Sequence, residues 1–483
     1  MTRAARKTFP VARSVLALCL AVVVLGGIGL ALRGLAASEP AKQGVFALRA
    51  TSVFDQKDEA FLRGQWVRCQ DQPFPEVRAY PPFASKAPIY GSVRFGPSPD
   101  EVNSGVLFYF ALDESDGTGK GYDRLFFDHN RDLDLRNDPV ARRQAHPPSR
   151  ATAGTHLAGI KEQVIFDFIK VHQGTEAAGT APVEIMPRLI LAGQDAKVYK
   201  HMTFVRTEVF EGDIQVAGER LKARLGNDFA ITLGFDSPLT ALVLSPKRTP
   251  DKRAFDWWGA DRLMAVQKIH GRFFTFAATP AGDQLTVRPY EGDLGTFAIG
   301  PGKRAVTQLS VSGSFQAPNR TVPVGGDIEV GRPNPVPKCQ VPVGNYLPEI
   351  LDIGFGRLEI EVSQNYHSEG KRQSRVGRPL VYGIAIRKDQ PFVLDFSNQP
   401  DVMFTSPTNG QRIKLGDTVM VSAVLVDPKL DMMIRRLEDT SRKQTKDADG
   451  KPLGYERNLS LDPKVIITRA DGRKIAEGVM PFG

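Results

Sequence analysis

The segments IYGSVRF (residues 89–95), GVLFYFALDE (105–114) and YDRLFF (122–127) decide the fold class of this chain. Aromatic and β-branched residues alternate or run together in each of them, which is typical of half-buried strands. Segments of the same kind, such as VIFDFIKV (164–171) and VEIMPRLILAG (183–193), recur between turns rich in Gly, Pro and Asp. The sequence therefore predicts an all-β protein.

Two pairs of these segments are close enough in sequence to form hairpins. RFFTFAAT (272–279) and QLTVRPY (284–290) are separated only by PAGD, a good turn sequence. The segment KVIITRADGRKIAEGVM (464–480) contains Asp471 and Gly472, a pair that favours a tight hairpin turn. We expect both pairs to be antiparallel.

Length and composition indicate a multidomain globular protein. A chain of 483 residues is too long for one hydrophobic core. Its 41% hydrophobic and 24% charged residues are ordinary for folded protein. The 45 Gly and 35 Pro are spread along the chain and favour short strands and turns over long helices.

Taken over the whole chain, the net charge of +9 suggests a nucleic-acid partner, but about half of that charge lies in the N-terminal segment. Residues 1–33 carry five Lys or Arg and no acid, which leaves 58 basic against 54 acidic residues, or +4, for the rest. That remainder is close to neutral for its size, and its basic residues are dispersed. We expect no nucleic-acid partner.

The N-terminus predicts export. Arg3, Arg6, Lys7 and Arg13 precede an apolar run at residues 15–32, and a positive flank before such a run sends the following chain out of the cytoplasm. With 18 residues the run is long enough to anchor the protein in a membrane. The small residues at 34–38 equally allow cleavage as a signal peptide. The protein is therefore expected to face the periplasm or cell surface from the membrane, or to be secreted.

Composition shifts divide the chain into five segments. We predict a signal or anchor segment, an N-terminal β region with an acidic loop, a middle β domain, a connector with a hairpin, and a C-terminal domain. Their bounds are 1–37, 38–150, 151–326, 327–395 and 396–483.

The C-terminal segment resembles the immunoglobulin-like modules found at the ends of exported bacterial proteins. The resemblance covers about 85 residues and rests on the strand and turn pattern of VMFTSPTNGQRIKLGDTVMVSAVLVDP (402–428) and of residues 464–480. The paired cysteines and core Trp of antibody domains are missing. The resemblance implies an interaction or spacer module rather than an enzyme. Together with the strand pattern of the preceding regions, the sequence predicts two or more β-sandwich-like domains after the N-terminal segment.

Two cysteines follow the N-terminal segment, Cys69 and Cys339. In an oxidising compartment they can form one disulfide, or they can remain two separate thiols. Two cysteines cannot build a Cys-based zinc site.

The stretch DHNRDLDLRND (128–138) is the best candidate for a binding site. Oxygen-bearing side chains recur at Asp128, Asn130, Asp132 and Asp134, and Asp138 closes the stretch. A hard cation such as Ca²⁺ takes six to eight oxygen ligands, so alternating acids and amides can wrap one ion.

This loop resembles EF-hand, dockerin-like and thrombospondin-like acidic repeats in a degenerate form. With Asp128 as position 1, the front half matches, but Leu133 stands where the turn needs Gly, and Arg136 and Pro139 hold positions 9 and 12. The resemblance implies a calcium site. A loop fed by a strand need not copy the EF-hand backbone, and Asp123 with the upstream acids Asp113, Glu114 and Asp116 is available to complete the shell. The alternative is a solvated loop of Asx turns that binds nothing.

No sequence motif names a reaction. Zinc-protease, serine-hydrolase, phosphate-loop and dinucleotide motifs are all missing from the sequence. Asp256, Trp257, Trp258 and Asp261 form the best candidate patch for a sugar, since tryptophans beside acids can stack on sugar rings.

Two hypotheses of different class remain. The first is a non-enzymatic exported β protein, stiffened by calcium, that makes protein or glycan contacts through its C-terminal module. The second is a secreted, glycosidase-like hydrolase with a carboxylate pair in the middle domain. The segments at 122–139 and 405–428 also resemble large families of exported bacterial proteins of unknown function, which supplies an architecture and no activity.

Overall fold

The computed structural model describes most of the chain between Gly44 and Met480. The described residues are 44–56, 59–96, 105–119, 121–155, 159–172, 182–193, 198–245, 261–263, 266–300, 309–317, 320–325, 338–363, 367–368, 371–372, 383–395, 401–407, 410–414, 416–427, 432–446, 450 and 452–480. The predicted export segment, residues 1–37, lies outside them, as do Asp256, Trp257 and Trp258.

Within these ranges the chain forms β-strands, one short 3-10 helix at Val53–Asp55 and no α-helix, so the predicted all-β class is confirmed. The strands are β1 Gly44–Ala47, β2 Arg49–Ser52, β3 Gln65–Arg68, β4 Ile89–Phe95, β5 Val106–Asp113, β6 Arg124–Phe127, β7 Val140–Arg142, β8 Ile160–Ile165, β9 Ile169–Val171, β10 Val183–Ala192, β11 Tyr199–Arg206, β12 Glu208–Val216, β13 Glu219–Gly226, β14 Ala241–Ser245, β15 Asp261–Arg262, β16 Gln267–Ile269, β17 Arg272–Ala278, β18 Gln284–Pro289, β19 Leu294–Gly300, β20 Leu309–Ala317, β21 Arg320–Gly325, β22 Lys338–Pro342, β23 Gly344–Phe355, β24 Leu358–Ser363, β25 His367–Ser368, β26 Lys371–Arg372, β27 Ile384–Ile386, β28 Phe392–Asp395, β29 Asp401–Ser406, β30 Ser422–Asp427, β31 Met432–Lys446, β32 Pro452–Ser460, β33 Lys464–Thr468 and β34 Lys474–Val479. None of the described residues belongs to a helix with the length and apolar character needed to cross a bilayer.

Two antiparallel sheets share the first hydrophobic core. One has the order β4-β5-β6-β7 and the other the order β3-β11-β10-β8, with β9 also paired to β10. Alternate residues of β4 and β5 enter this core, as the period of a strand requires; they include Val93, Phe95, Phe108 and Phe110. The expected sandwich-like packing of antiparallel sheets is thus present here.

A third sheet, of order β15-β14-β13-β12-β2, shares a further core with the sheet that contains β10. Arg188 of β10 is fully buried beside it and has no carboxylate partner in the structure as described. Its guanidinium donates to the carbonyls of Ala151 and Ala153 at 2.9 and 2.8 Å, and to Thr203 Oγ1 at 2.9 Å. Arg188 therefore satisfies backbone groups of a buried turn.

The outer face of the β4–β7 sheet carries an aromatic cluster instead of open solvent. Tyr90, Tyr109 and Phe126 of the sheet are largely buried there. They are covered by residues 71–83, DQPFPEVRAYPPF, which we call the strap. The strap's own rings pack on the sheet: Phe74 on Tyr109 at 5.2 Å, Tyr80 on Tyr90 at 5.1 Å and Phe83 on Phe126 at 6.1 Å between centroids.

The first described strand joins a distant part of the chain. β1 pairs with β18 in a sheet of order β1-β18-β17-β16, with Gly44 opposite Val287. β17 and β18 form the antiparallel hairpin predicted across residues 280–283. A second hydrophobic core then follows, around Phe297, Phe315 and Tyr346.

A nine-stranded sheet carries much of the second half of the described chain. Its order is β21-β20-β23-β24-β31-β30-β29, with β27 and β32 attached at β23 and β31. It draws strands from the predicted middle, connector and C-terminal segments; their bounds remain predictions. β33 and β34 form the predicted hairpin, with Gly472 at φ +83°.

Cys69 and Cys339 are not joined to each other by a disulfide. Cys69 packs against the first core and Cys339 is buried in the second. Of the two alternatives that the sequence left open, the structure has the separate thiols.

Candidate functional site

The acidic loop, residues 128–138, connects β6 to β7. Asp128 directly follows β6, and its backbone N–H donates to the Tyr109 carbonyl at 2.9 Å. Asp138 lies two residues before β7, and its Oδ1 accepts a hydrogen bond from the His129 N–H at 3.0 Å. The first and last acids of the loop therefore meet at its base, where the sheet holds them.

Asp128 is the least ordinary side chain of the loop. It is only 1% exposed, and neither carboxylate oxygen accepts a hydrogen bond of regular geometry. Burial raises the pKa of Asp128, although nearby backbone N–H groups, that of Leu133 foremost, oppose the shift. A buried carboxylate in this state is destabilising unless a cation approaches it.

Asp138 adds a second buried carboxylate at the same place. Its Oδ2 accepts no hydrogen bond, and burial, together with the charges of Asp128 and Asp132, raises the pKa of Asp138 to about 6. The structure thus brings Asp128, Asp132 and Asp138 near enough to disfavour one another's charge. Such mutual repulsion is what a bound divalent cation relieves.

The outer part of the loop is a chain of Asx turns. Asn130 Oδ1 accepts from the Asp132 N–H at 3.0 Å, and Asp132 Oδ1 accepts from the Asp134 N–H at 2.8 Å. Asn137 Nδ2 donates to Asp132 Oδ2 at 2.7 Å, and this bond is the main cause of the lowered pKa of Asp132. These bonds are the ones expected of the solvated-loop alternative, so an ion here must displace some of them.

Asp134 is held by an arginine of the loop itself. Arg136 donates through Nε to Oδ1 at 2.9 Å and through Nη2 to Oδ2 at 2.7 Å, a bidentate pair that lowers the pKa of Asp134 to about 2. The sequence placed the Asp134 side chain among the ligands. In the structure the Asp134 carboxylate is paired with Arg136. At position 7 an EF-hand uses the backbone carbonyl as its ligand, and only that group of Asp134 matches.

Leu133 adopts the backbone conformation for which the EF-hand uses glycine. Its φ is +66°, in the left-handed region that L-residues rarely enter. Its side chain packs against the aromatic cluster, and its carbonyl accepts from the N–H of Arg78 at 2.7 Å and of Ala79 at 3.3 Å. Packing and pairing with the strap therefore offset the strain at this position.

The acids of the preceding turn have other partners. Asp113 accepts from the Ser85 N–H at 2.8 Å and from Arg124, and Glu114 accepts from Thr118 at 2.7 Å. Asp123 accepts from the backbone and hydroxyl of Ser115. In the structure these carboxylates stabilise the turn and the residues that directly follow the strap. Their part in the shell of an ion stays a prediction.

The part of the chain that the structure describes holds no preassembled metal site. Across the described ranges, no group of three or more His, Cys, Asp or Glu side chains is arranged to hold a metal ion. What the loop offers is two buried, underpartnered carboxylates, Asp128 and Asp138, with amide and carbonyl oxygens beside them. This donor set is made of oxygen alone and suits a hard cation.

A second group of carboxylates surrounds Arg436 on the nine-stranded sheet. Its Nη2 lies 3.0 Å from Asp352, 3.2 Å from Glu361 and 3.7 Å from Glu359, and its Nη1 lies 3.9 Å from Glu438. Burial is the main cause that raises the pKa of Asp352 to about 6. One guanidinium thus lies within ion-pair distance of four acids. This ion-pair network could not be predicted from the sequence, because its members come from three strands whose pairing is not evident there.

Comparison of the chain with protein-family models, with curated proteins and with solved structures found no match.

Proposed function

We propose that this chain is a non-enzymatic exported β protein, anchored in the membrane or secreted, whose acidic loop binds a structural Ca²⁺ ion. Its C-terminal strands make contacts with protein or glycan partners. The observation that carries the calcium site is the Asp128 carboxylate, which is 1% exposed and accepts no regular hydrogen bond.

The choice of calcium follows from the donor atoms. The loop offers carboxylate, amide and carbonyl oxygens, and Ca²⁺ accepts such mixed sets in flexible geometry, whereas Mg²⁺ demands a near-ideal octahedron. His129 is the only residue of the loop whose side chain can bind a metal through nitrogen. Its Nδ1 lies 3.2 Å from the Lys170 carbonyl. A soft or nitrogen-preferring metal therefore has little to bind here.

Support for the contact role comes from the distribution of exposed apolar side chains. Among the described residues, nine of the fourteen large hydrophobic side chains that are exposed lie between positions 402 and 479: Val402, Phe404, Ile413, Val419, Met420, Ile466, Ile467, Ile475 and Val479. Phe404, Val419 and Ile467 also line an apolar cleft of about 640 Å³. Contiguous exposed apolar surface is typical of interaction sites.

Equilibrium dialysis of the full chain against radioactive calcium tests the metal site. We expect one bound ion with a dissociation constant on the order of 10⁻⁴ to 10⁻³ M, as in extracellular modules. The double variant Asp128→Asn, Asp132→Asn should lose it, and Asp471→Asn, at an exposed acid in the turn between β33 and β34, should keep it. Absence of binding by the unaltered chain, or equal binding by the double variant, would overturn the proposal.

The contact role is tested separately. A glycan array probed with the full chain shows whether a glycan is bound. A bound glycan that is still retained after Phe404→Asp and Ile467→Asp would remove the C-terminal strands from the proposal.

A further inference from the structure

We propose that the ion in the acidic loop holds the strap, residues 71–83, against the sheet. We call this coupling the lock. Loss of the ion releases the middle of the strap from the sheet and exposes the aromatic cluster beneath it. This inference rests on the proposed calcium site and names what that site controls.

The strap has little backbone pairing of its own. All of its residues are described, and four of the thirteen are prolines, which donate no hydrogen bond. At its start, Gln70 pairs with Tyr90 through an isolated bridge, and at its end the Ala84 N–H donates to Asp113. Between these two points the strap is secured by its rings, by the ion pair of Asp71 with Lys200 near its start and by one further set of backbone contacts.

That further contact is made with the acidic loop. Ala79 and Asp134 form an isolated parallel bridge. The N–H of Arg78 donates to the Leu133 carbonyl at 2.7 Å, and the N–H of Leu135 donates to the Ala79 carbonyl at 3.0 Å. The loop thus anchors the strap at its midpoint.

The same short segment of the loop faces the buried carboxylate. The backbone N–H groups of Arg131, Asp132 and Leu133 lie close to the Asp128 side chain. Leu135 is fully buried in the aromatic cluster, between the loop and the strap. A cation on Asp128 would fix the loop backbone, and through Leu133 and Leu135 it would fix the strap.

Thermodynamic linkage gives the size of the effect of calcium on the detachment of the strap. If the state with the strap detached binds no ion, calcium at ten times its dissociation constant suppresses that state about elevenfold. By reciprocity, a variant that weakens the strap contact must also weaken calcium binding. A loop that held calcium only for its own rigidity would show neither effect.

Hydrogen–deuterium exchange of the full chain, with calcium and with chelator, tests the lock. Peptides that contain Arg78, Ala79 and Leu135 should exchange about tenfold more slowly with calcium at that concentration. Peptides from β20, in the second core, should be unchanged and serve as the internal control. Equal exchange of the strap in both conditions, with calcium bound by dialysis, would overturn the lock and leave the calcium site standing.

A matched pair of variants tests the reciprocal effect. Arg78 is exposed, so Arg78→Ala keeps the N–H and should bind calcium as the unaltered chain does. Arg78→Pro removes the N–H that donates to Leu133 and should weaken binding severalfold. Equal affinity of the two variants would contradict the coupling, and no binding by the unaltered chain would remove the calcium site and the lock together.

Discussion

Replacing Asp128 by asparagine should change stability in opposite directions with and without calcium. Without the ion, the protein carries a carboxylate that is 1% exposed and accepts no regular hydrogen bond. Asn has nearly the same shape and no charge. The variant should therefore be more stable than the unaltered protein in chelator, and it should gain nothing from calcium.

The cost of the buried carboxylate and the stabilisation by calcium are free energies of similar size. An unsatisfied buried polar group costs about 1–3 kcal/mol, and more when it is charged, so the variant should gain about 1 kcal/mol in chelator. For a dissociation constant of about 10⁻⁴ to 10⁻³ M, calcium at about 10 mM adds about 1.4–2.7 kcal/mol to the unaltered protein. The order of stability of the two proteins should therefore reverse, or nearly so, between the two conditions.

Calorimetry near neutral pH measures this directly. For a domain of 150–250 residues, each 1 kcal/mol shifts the melting temperature by about 2–4 °C, so the unaltered protein should gain about 3–10 °C from calcium. Asp471→Asn should behave like the unaltered protein. If Asp128→Asn lowers the melting temperature equally with calcium and with chelator, the side chain has an ordinary structural role and the reasoning is refuted.

Four further expectations follow from the structure. Asp138 has a pKa raised to about 6, so the folded, ion-free protein binds more protons than the unfolded chain as pH falls from about 7 to 5. The stability of the ion-free protein should therefore rise over this range, and the increase in stability caused by calcium should shrink. Calorimetry at both pH values measures both effects. Arg131 is exposed with φ +59°, and Arg131→Gly should stabilise the protein by about 0.5–1 kcal/mol in urea unfolding. Arg188→Met leaves buried carbonyls without a donor and should destabilise by about 3 kcal/mol in the same assay. Arg436→Gln should lower the melting temperature most above pH 6, where Asp352 is charged, and an equal loss at pH 5 would contradict the ion-pair reading.

Local features of the fold were predictable from the sequence. The hairpin of β17 and β18 follows from two alternating segments around a four-residue turn, and that of β33 and β34 from Asp471-Gly472. Partners far apart in sequence were not predictable, such as β3 with β11 or β24 with β31. Alternation identifies which face of a strand is buried, but it carries no signal for the neighbour that a strand pairs with.

The candidate site shows the same division. The spacing of Asp128, Asn130 and Asp132 identified the loop, and its place at the end of a strand was predictable. The ion pair between Arg136 and Asp134 was not predictable, because an arginine two residues away reaches the carboxylate only in one backbone geometry. At Leu133 the motif requires a positive φ that favours Gly, but the contacts of Leu133 with the strap could not be predicted from the sequence.

The pairing of β1 with β18 has a consequence for how this molecule is made. Val287, the partner of Gly44, lies 243 positions further along the chain, so the ribosome must synthesise more than half of the chain before β1 can pair with β18. At about 5–20 residues per second this takes about 10–50 s of synthesis. During that time β1 lacks its partner, and its unpaired N–H and C=O groups can pair with other chains.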